Sequence, residues 1–140
     1  QVHAFDWFKG MKPGINDVSN IADKYSASFE SLNRLVELQG LDDIAYINKM
    51  DVTCELPAFI DERPWMRFKF VFVDCAIQEV LESSISNLWP RLVNGGIFIL
   101  DHYNCSSSPT ESSILEKYIG NLPIHQAPYA RQPTAYVIKE

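Results

Sequence analysis

Four apolar runs in this chain lead into an aspartate: Val2-His3-Ala4-Phe5-Asp6, Ile44-Ala45-Tyr46-Ile47-Asn48-Lys49-Met50-Asp51, Phe68-Lys69-Phe70-Val71-Phe72-Val73-Asp74 and Gly96-Ile97-Phe98-Ile99-Leu100-Asp101. In an open α/β sheet the carboxyl ends of parallel strands border the ligand crevice, so acids repeated at those positions converge on one polar site. The stretches between the runs carry helical periodicity. Strands alternating with helices predict an α/β domain with a largely parallel sheet.

Tyr25, Phe29, Leu32 and Val36 recur at helical spacing and predict one long amphipathic helix over 18–38, with Ser19 or Asp17 as its N-cap and Gly40 as its stop. Residues 53–62 read as a short helix closed near Pro64. The run 68–73 is almost continuously apolar, as expected of a strand covered on both faces. Ile77, Val80, Leu81, Ile85, Leu88 and Leu92 mark the next helix, which Gly95-Gly96 is expected to end before a strand at 97–100. Residues 104–110, rich in serine and carrying Pro109, read as a mobile loop at the crevice, and 111–119 as the last helix. Two final strands, 125–130 and 134–138, are expected to form an antiparallel hairpin around Arg131-Gln132-Pro133.

A chain of 140 residues, 46% hydrophobic, suits one domain with a sizeable core. Eighteen acids against twelve bases give a net charge of -6, with no basic cluster to neutralise a row of phosphates, so nucleic acid is not an expected partner. Cys54, Cys75 and Cys105 are odd in number and lack CxxC spacing, which argues for reduced thiols. No apolar stretch reaches the roughly 20 residues that cross a bilayer, so a soluble cytoplasmic protein without membrane contact is expected.

Val2-His3-Ala4-Phe5-Asp6-Trp7-Phe8-Lys9-Gly10-Met11, Phe70-Val71-Phe72-Val73-Asp74, Trp89-Pro90-Arg91-Leu92-Val93-Asn94-Gly95-Gly96 and Leu100-Asp101-His102-Tyr103 together resemble the macrocin O-methyltransferase family of class I S-adenosylmethionine-dependent methyltransferases. Members of that family typically methylate sugar hydroxyls on natural products. The resemblance implies a Rossmann-like methyltransferase fold, mostly parallel, with helices on both faces. It implies S-adenosylmethionine as cofactor, with Asp6 on the ribose hydroxyls, Asp51 beside the adenine and Met50 packed on the ring. A carboxylate suits a diol because it accepts two hydrogen bonds. On residue type alone, Asp6 and Asp51 serve equally well as caps of the turns that follow them.

The resemblance further implies a reaction centre of Asp74 as catalytic acid or base, with Asp101, His102 and Asp74 around Mg²⁺ or another divalent metal, and a sugar-like hydroxyl acceptor as substrate. A hard cation on a sugar diol lowers the hydroxyl pKa, and a nearby carboxylate then takes the proton. The alternative is strand-end capping with an incidental histidine. His3, His125, Cys75, Trp7, Phe8, Trp65 and Trp89 read mainly as core or edge residues.

Three features depart from the family pattern. Asp74-Cys75-Ala76 stands where Asp-Gly-Asp is usual, and Asp101-His102-Tyr103 where Asp-Asp-Tyr is usual. The family's first strand and its glycine-rich turn have no counterpart among these residues. That strand is central in the family's sheet, so the strands ending in Asp6 and Asp74 must close on each other, receive a strand from another chain, or pair across a homodimer; the homodimer is the expected solution. A catalytically silent assembly or binding module, and a different metal-assisted enzyme, are the rival readings.

Overall fold

The computed structural model describes residues 1–106 and 110–140. Among the described residues the elements are, in chain order, β1 (Val2–Asp6), α1 (Phe29–Leu38), β2 (Ala45–Lys49), α2 (Leu56–Asp61), β3 (Phe68–Val73), α3 (Gln78–Leu88), β4 (Leu92–Leu100), α4 (Glu111–Ile119), β5 (His125–Gln126) and β6 (Ala135–Ile138), with a 3-10 turn at Ser19–Ile21. All four aspartates follow or end a strand, as the sequence predicts. The loop expected at 104–110 falls partly outside the described residues, at Ser107, Ser108 and Pro109.

The strands form two sheets. β1 pairs with β2 in parallel, Val2 opposite Ala45, and the second sheet runs β3-β4-β6-β5. Within it β3 and β4 are parallel, whereas β6 lies antiparallel to β4 and to β5. The predicted strands at 125–130 and 134–138 thus survive as a shorter antiparallel pair.

Side-chain alternation sorts the helices into layers. Val71, Val73, Phe98, Leu100, Ala135 and Val137 point into a core closed by Leu56 and Ile60 of α2, Leu81 and Ile85 of α3, and Ile114, Leu115 and Ile119 of α4. His3 and Phe5 of β1 meet Phe59 of α2 on that same side, with ring centroids 6.1 and 5.3 Å away. α1 covers the opposite side of β2, where Lys49 lies 5.2 Å over the Phe29 ring. The full coverage expected of β3 is not found: Phe70 and Phe72 are 57% and 51% exposed because α2, α3 and α4 all pack on the other face.

The long helix expected over 18–38 begins only at Phe29. Asp23 and Tyr25 adopt left-handed backbone angles, φ 58° and 63°, which no α-helix accommodates. Residues 23 and 24 instead pair with the loop after β1, through Met11 N donating to Lys24 O at 2.8 Å and Asp23 N donating to Met11 O at 2.8 Å. Ser28 is the actual N-cap, its hydroxyl accepting from Ser31 N at 3.1 Å. Asp17 caps a different helix: its carboxylate accepts from Gln78 N at the start of α3 at 2.9 Å and from Gly14 N at 2.7 Å.

Gly95-Gly96 does not end a helix. It lies inside β4, where two steps along β3, Phe68 to Phe70, face five along β4, Leu92 to Ile97. Gly95 N donates to Lys139 O at 2.7 Å and Lys139 N donates to Gly96 O at 2.9 Å, so the glycines form a bulge that still pairs with the chain beyond β6. The Lys139 ammonium then reaches the carbonyls of Trp89 and Leu92 at 2.8 and 2.9 Å, placing positive charge where α3 ends.

Candidate functional site

Asp6 and Asp51 each bond to the chain turn that follows their strand. The Asp6 carboxylate accepts from Phe8 N, which holds Phe8 at φ 63° and sets its ring 5.3 Å from that of Phe29. Asp51 accepts from both the backbone N and the hydroxyl of Thr53, at 2.9 and 2.6 Å, and its own N donates to Glu55 Oε2 at 2.6 Å. Met50 N donates to Asp6 O at 2.9 Å, so Asp6, Met50 and Asp51 are brought to one end of the β1–β2 pair. Both side chains therefore shape their own loops.

Asp74, Asp101 and His102 converge at the carboxyl ends of β3 and β4. One ligand atom from each lies within 4.8 Å of the others. Asp101 is anchored at both ends, its N donating to Val73 O at 3.1 Å and its Oδ1 accepting from Thr134 Oγ1 at 3.2 Å. His102 Nδ1 stands 3.7 Å from Asp101 Oδ2 and 3.8 Å from Asp74 Oδ1, too far for hydrogen bonds. That nitrogen is buried without a hydrogen-bond partner. The Asp74 carboxyl is pushed above the ordinary carboxylate range, first by burial and then by the Asp101 charge, with His102 opposing.

This donor set fits a divalent cation. Two carboxylates in mutual repulsion and an unpartnered imidazole nitrogen, all aimed at one small volume, are each relieved by positive charge placed between them. The imidazole shifts the preference from Mg²⁺ toward transition metals. A hollow of about 510 Å³ opens instead between α2 and α3, lined by residues such as Thr53, Pro57, Glu79 and Ser83. It is an open polar groove that includes none of the three cluster residues, and the chemistry on offer lies with the strand-end acids.

Three supporting residues were not evident as such in the sequence. Thr134 orients Asp101, Asp17 ties the loop after β1 to α3, and the buried Glu111 accepts from Ala76 N at 3.1 Å. Ala76 is thereby held at φ 49° in the Asp74-Cys75-Ala76 turn. Only Thr134, immediately before a strand, had a local signal. Burial pushes the Cys75 thiol up to about 12, with Glu111, Asp74 and Asp17 adding in the same direction. Cys75 is therefore expected to resist alkylation by iodoacetamide at pH 8 in the folded protein, while the exposed Cys54 reacts; mass mapping of the modified thiols checks this, and rapid labelling of Cys75 would refute it.

No protein-family model matches the chain, and no curated protein matches it. Among solved structures the chain is similar to CalS11, a calicheamicin methyltransferase, with a TM-score of 0.83 and 18% identity over 99% of this chain and 60% of that one. The apo structure of CalS11, described as a TDP-rhamnose 3'-O-methyltransferase in calicheamicin biosynthesis, gives 0.71 and 19% over 99% and 58%. The O-methyltransferase NovP gives 0.77 and 17% over 99% and 59%. The chain thus spans 58–60% of the length of these three structures. Its two sheets and their helices have the Rossmann-like methyltransferase fold, in a shorter chain than those structures contain.

Proposed function

We propose that this chain serves an S-adenosylmethionine-dependent O-methyltransferase acting on a sugar-like hydroxyl. The observation that carries the reading is the convergence of Asp74, Asp101 and His102 at adjacent strand ends, in a fold whose similar structures are methyltransferases by name. In this reading Asp6 takes the ribose diol with the lone pairs left over from its bond to Phe8 N, and Asp51 and Met50 border the adenine. Asp101 and His102, with Asp74, would hold a divalent cation, which supplies Lewis acidity that lowers the acceptor hydroxyl's pKa.

Asp74 is the base. Its raised pKa brings a carboxylate closer to the acceptor's own, which improves proton transfer. Bound S-adenosylmethionine would supply the methyl group to the acceptor oxygen, and Asp74 would take the proton that this hydroxyl gives up. Thr134 keeps Asp101 in place during this exchange.

Calorimetric titration with S-adenosylhomocysteine, with and without Mg²⁺ or Mn²⁺, tests the proposal. Binding in the micromolar range, weakened about tenfold or more by Asp6→Ala, is the expected result; one lost charged hydrogen-bond acceptor accounts for that factor. No heat of binding at millimolar ligand would sink it and leave the assembly-module reading. No helix among the described residues is long and apolar enough to cross a membrane.

A further inference from the structure

We infer that the outer edge of β2 is a self-association surface, on which two copies of this chain pair β2 with β2 in antiparallel fashion about a two-fold axis at Ile47. This edge faces away from β1. β1 and β3 do not pair with each other, and the inference concerns neither of their free edges.

β2 is bonded on one side only, to β1. The ends of that ladder show which groups are left over. Ile44 O accepts from Val2 N at 2.7 Å, and Met50 N donates to Asp6 O at 2.9 Å. Main-chain groups alternate in direction along a strand, so residues 44, 46, 48 and 50 bond toward β1 while Ala45, Ile47 and Lys49 point outward. Ala45 N is already engaged, donating to Leu41 O at 2.8 Å. Ala45 O and the N–H and carbonyl groups of Ile47 and Lys49 remain for another strand.

Such a row of groups is a template for pairing unless the edge is blunted. Ala45 to Lys49 contains neither proline nor glycine, and its one charge, Lys49, is folded back 5.2 Å over the Phe29 ring of α1. α1 stands back from the edge, leaving an open groove of about 350 Å³ lined by Asn33, Val36, Glu37 and Asp42 together with Ala45 and Ile47. No residue of β1, α1 or β2 is buried in the single chain, so this is the part of the fold most in need of cover.

Counting bonds fixes the register. With the two-fold axis at Ile47, Ile47 N donates to the partner's Ile47 O and Lys49 N to the partner's Ala45 O. Symmetry repeats both, so four bonds form from groups that are free. An axis at Tyr46 asks Ala45 N for a bond it has already given elsewhere, and leaves two within the strand. Charge favours the same register. Lys49 then lies across from the partner's Ala45, where the partner's Glu37 and Asp42 line the groove, and the small alanine lets the lysine stem pass. One chain supplies both halves of this charge pairing, which selects a second copy over a foreign strand.

Sedimentation of the 140-residue protein from micromolar to millimolar concentration, with amide exchange at both ends of that range, tests the inference. The expected result is a monomer–dimer equilibrium in which the Ile47 and Lys49 amides exchange at least tenfold more slowly at the high concentration. Glu37→Lys and Lys49→Glu should each weaken dimerisation about tenfold, because two attractive contacts become repulsive, and the double variant should recover to within about threefold of the parent. Both side chains are exposed, so the variants keep the fold, which circular dichroism verifies. A chain that stays monomeric at millimolar concentration, a dimer that leaves those two amides unprotected, or charge swaps that fail to rescue each other would each overturn the inference.

Discussion

Gly10→Ala is expected to destabilise the protein by about 2–4 kcal/mol, from the combined cost of a left-handed backbone and an overpacked contact. Gly10 is buried at φ 87°, and a methyl group there would meet Lys24 O at 2.8 Å and Asp23 O at 2.9 Å. Both neighbours are backbone, so nothing yields by a change of rotamer. Those carbonyls belong to the segment paired with Met11, and the indole N–H of Trp7 donates to Gly10 O. The strain falls on the loop that carries Asp17 to α3. Urea unfolding measures the loss, and a change below about 0.5 kcal/mol would mean that the loop rearranges freely.

Asp101→Asn should reduce Mn²⁺ affinity about 100-fold, at least the cost seen when a residue supporting a metal ligand is removed. The amide keeps the size of the side chain and can still accept from Thr134, so folding is spared while a charged ligand is lost. Affinity should also depend on pH. Asp74 must shed its proton to bind metal, and its pKa lies above the ordinary carboxylate value, so affinity climbs with pH through that raised value and levels off above it. The metal-free protein shows the converse. A raised folded-state pKa contributes stability that is complete below the unfolded value and is lost as pH rises through the folded one. Mn²⁺ titrations at several pH values check the first trend, and urea unfolding of the metal-free protein at the same pH values checks the second. Equal affinity of the two proteins, or none in the parent at millimolar Mn²⁺, would remove the metal from the reaction centre.

The strand ends were legible because the signals are local. An apolar run and the aspartate after it describe a strand and its closing turn within a few residues, and Asp6, Asp51, Asp74 and Asp101 all fall so. The cluster of Asp74 with Asp101 and His102 was legible through resemblance to a motif. What escaped is long-range. Asp17 looks like the cap of the nearest downstream helix, but its partner is Gln78, 61 residues on. Gly95-Gly96 looks like a helix stop, and only the strand partner of β4 and the position of Lys139 show it to be a bulge. An apolar run such as 68–73 cannot report that one of its faces lacks a cover.

Among the first 55 residues Gly10 alone is buried, and the hydrophobic core begins at Leu56. The β1–α1–β2 unit therefore leans on the core through a few contacts, among them Phe5 on Phe59, itself covered 3.9 Å away by the Arg63 guanidinium. Segments with so little buried apolar surface open at a small fraction of the global unfolding free energy. The segment that carries Asp6, Met50 and Asp51 is therefore expected to open more readily than the core that begins at Leu56. Any ligand for those residues binds with its intrinsic affinity reduced by the docked fraction. Tightening the seam at Phe5 and Phe59 would strengthen that binding without altering one atom that touches the ligand.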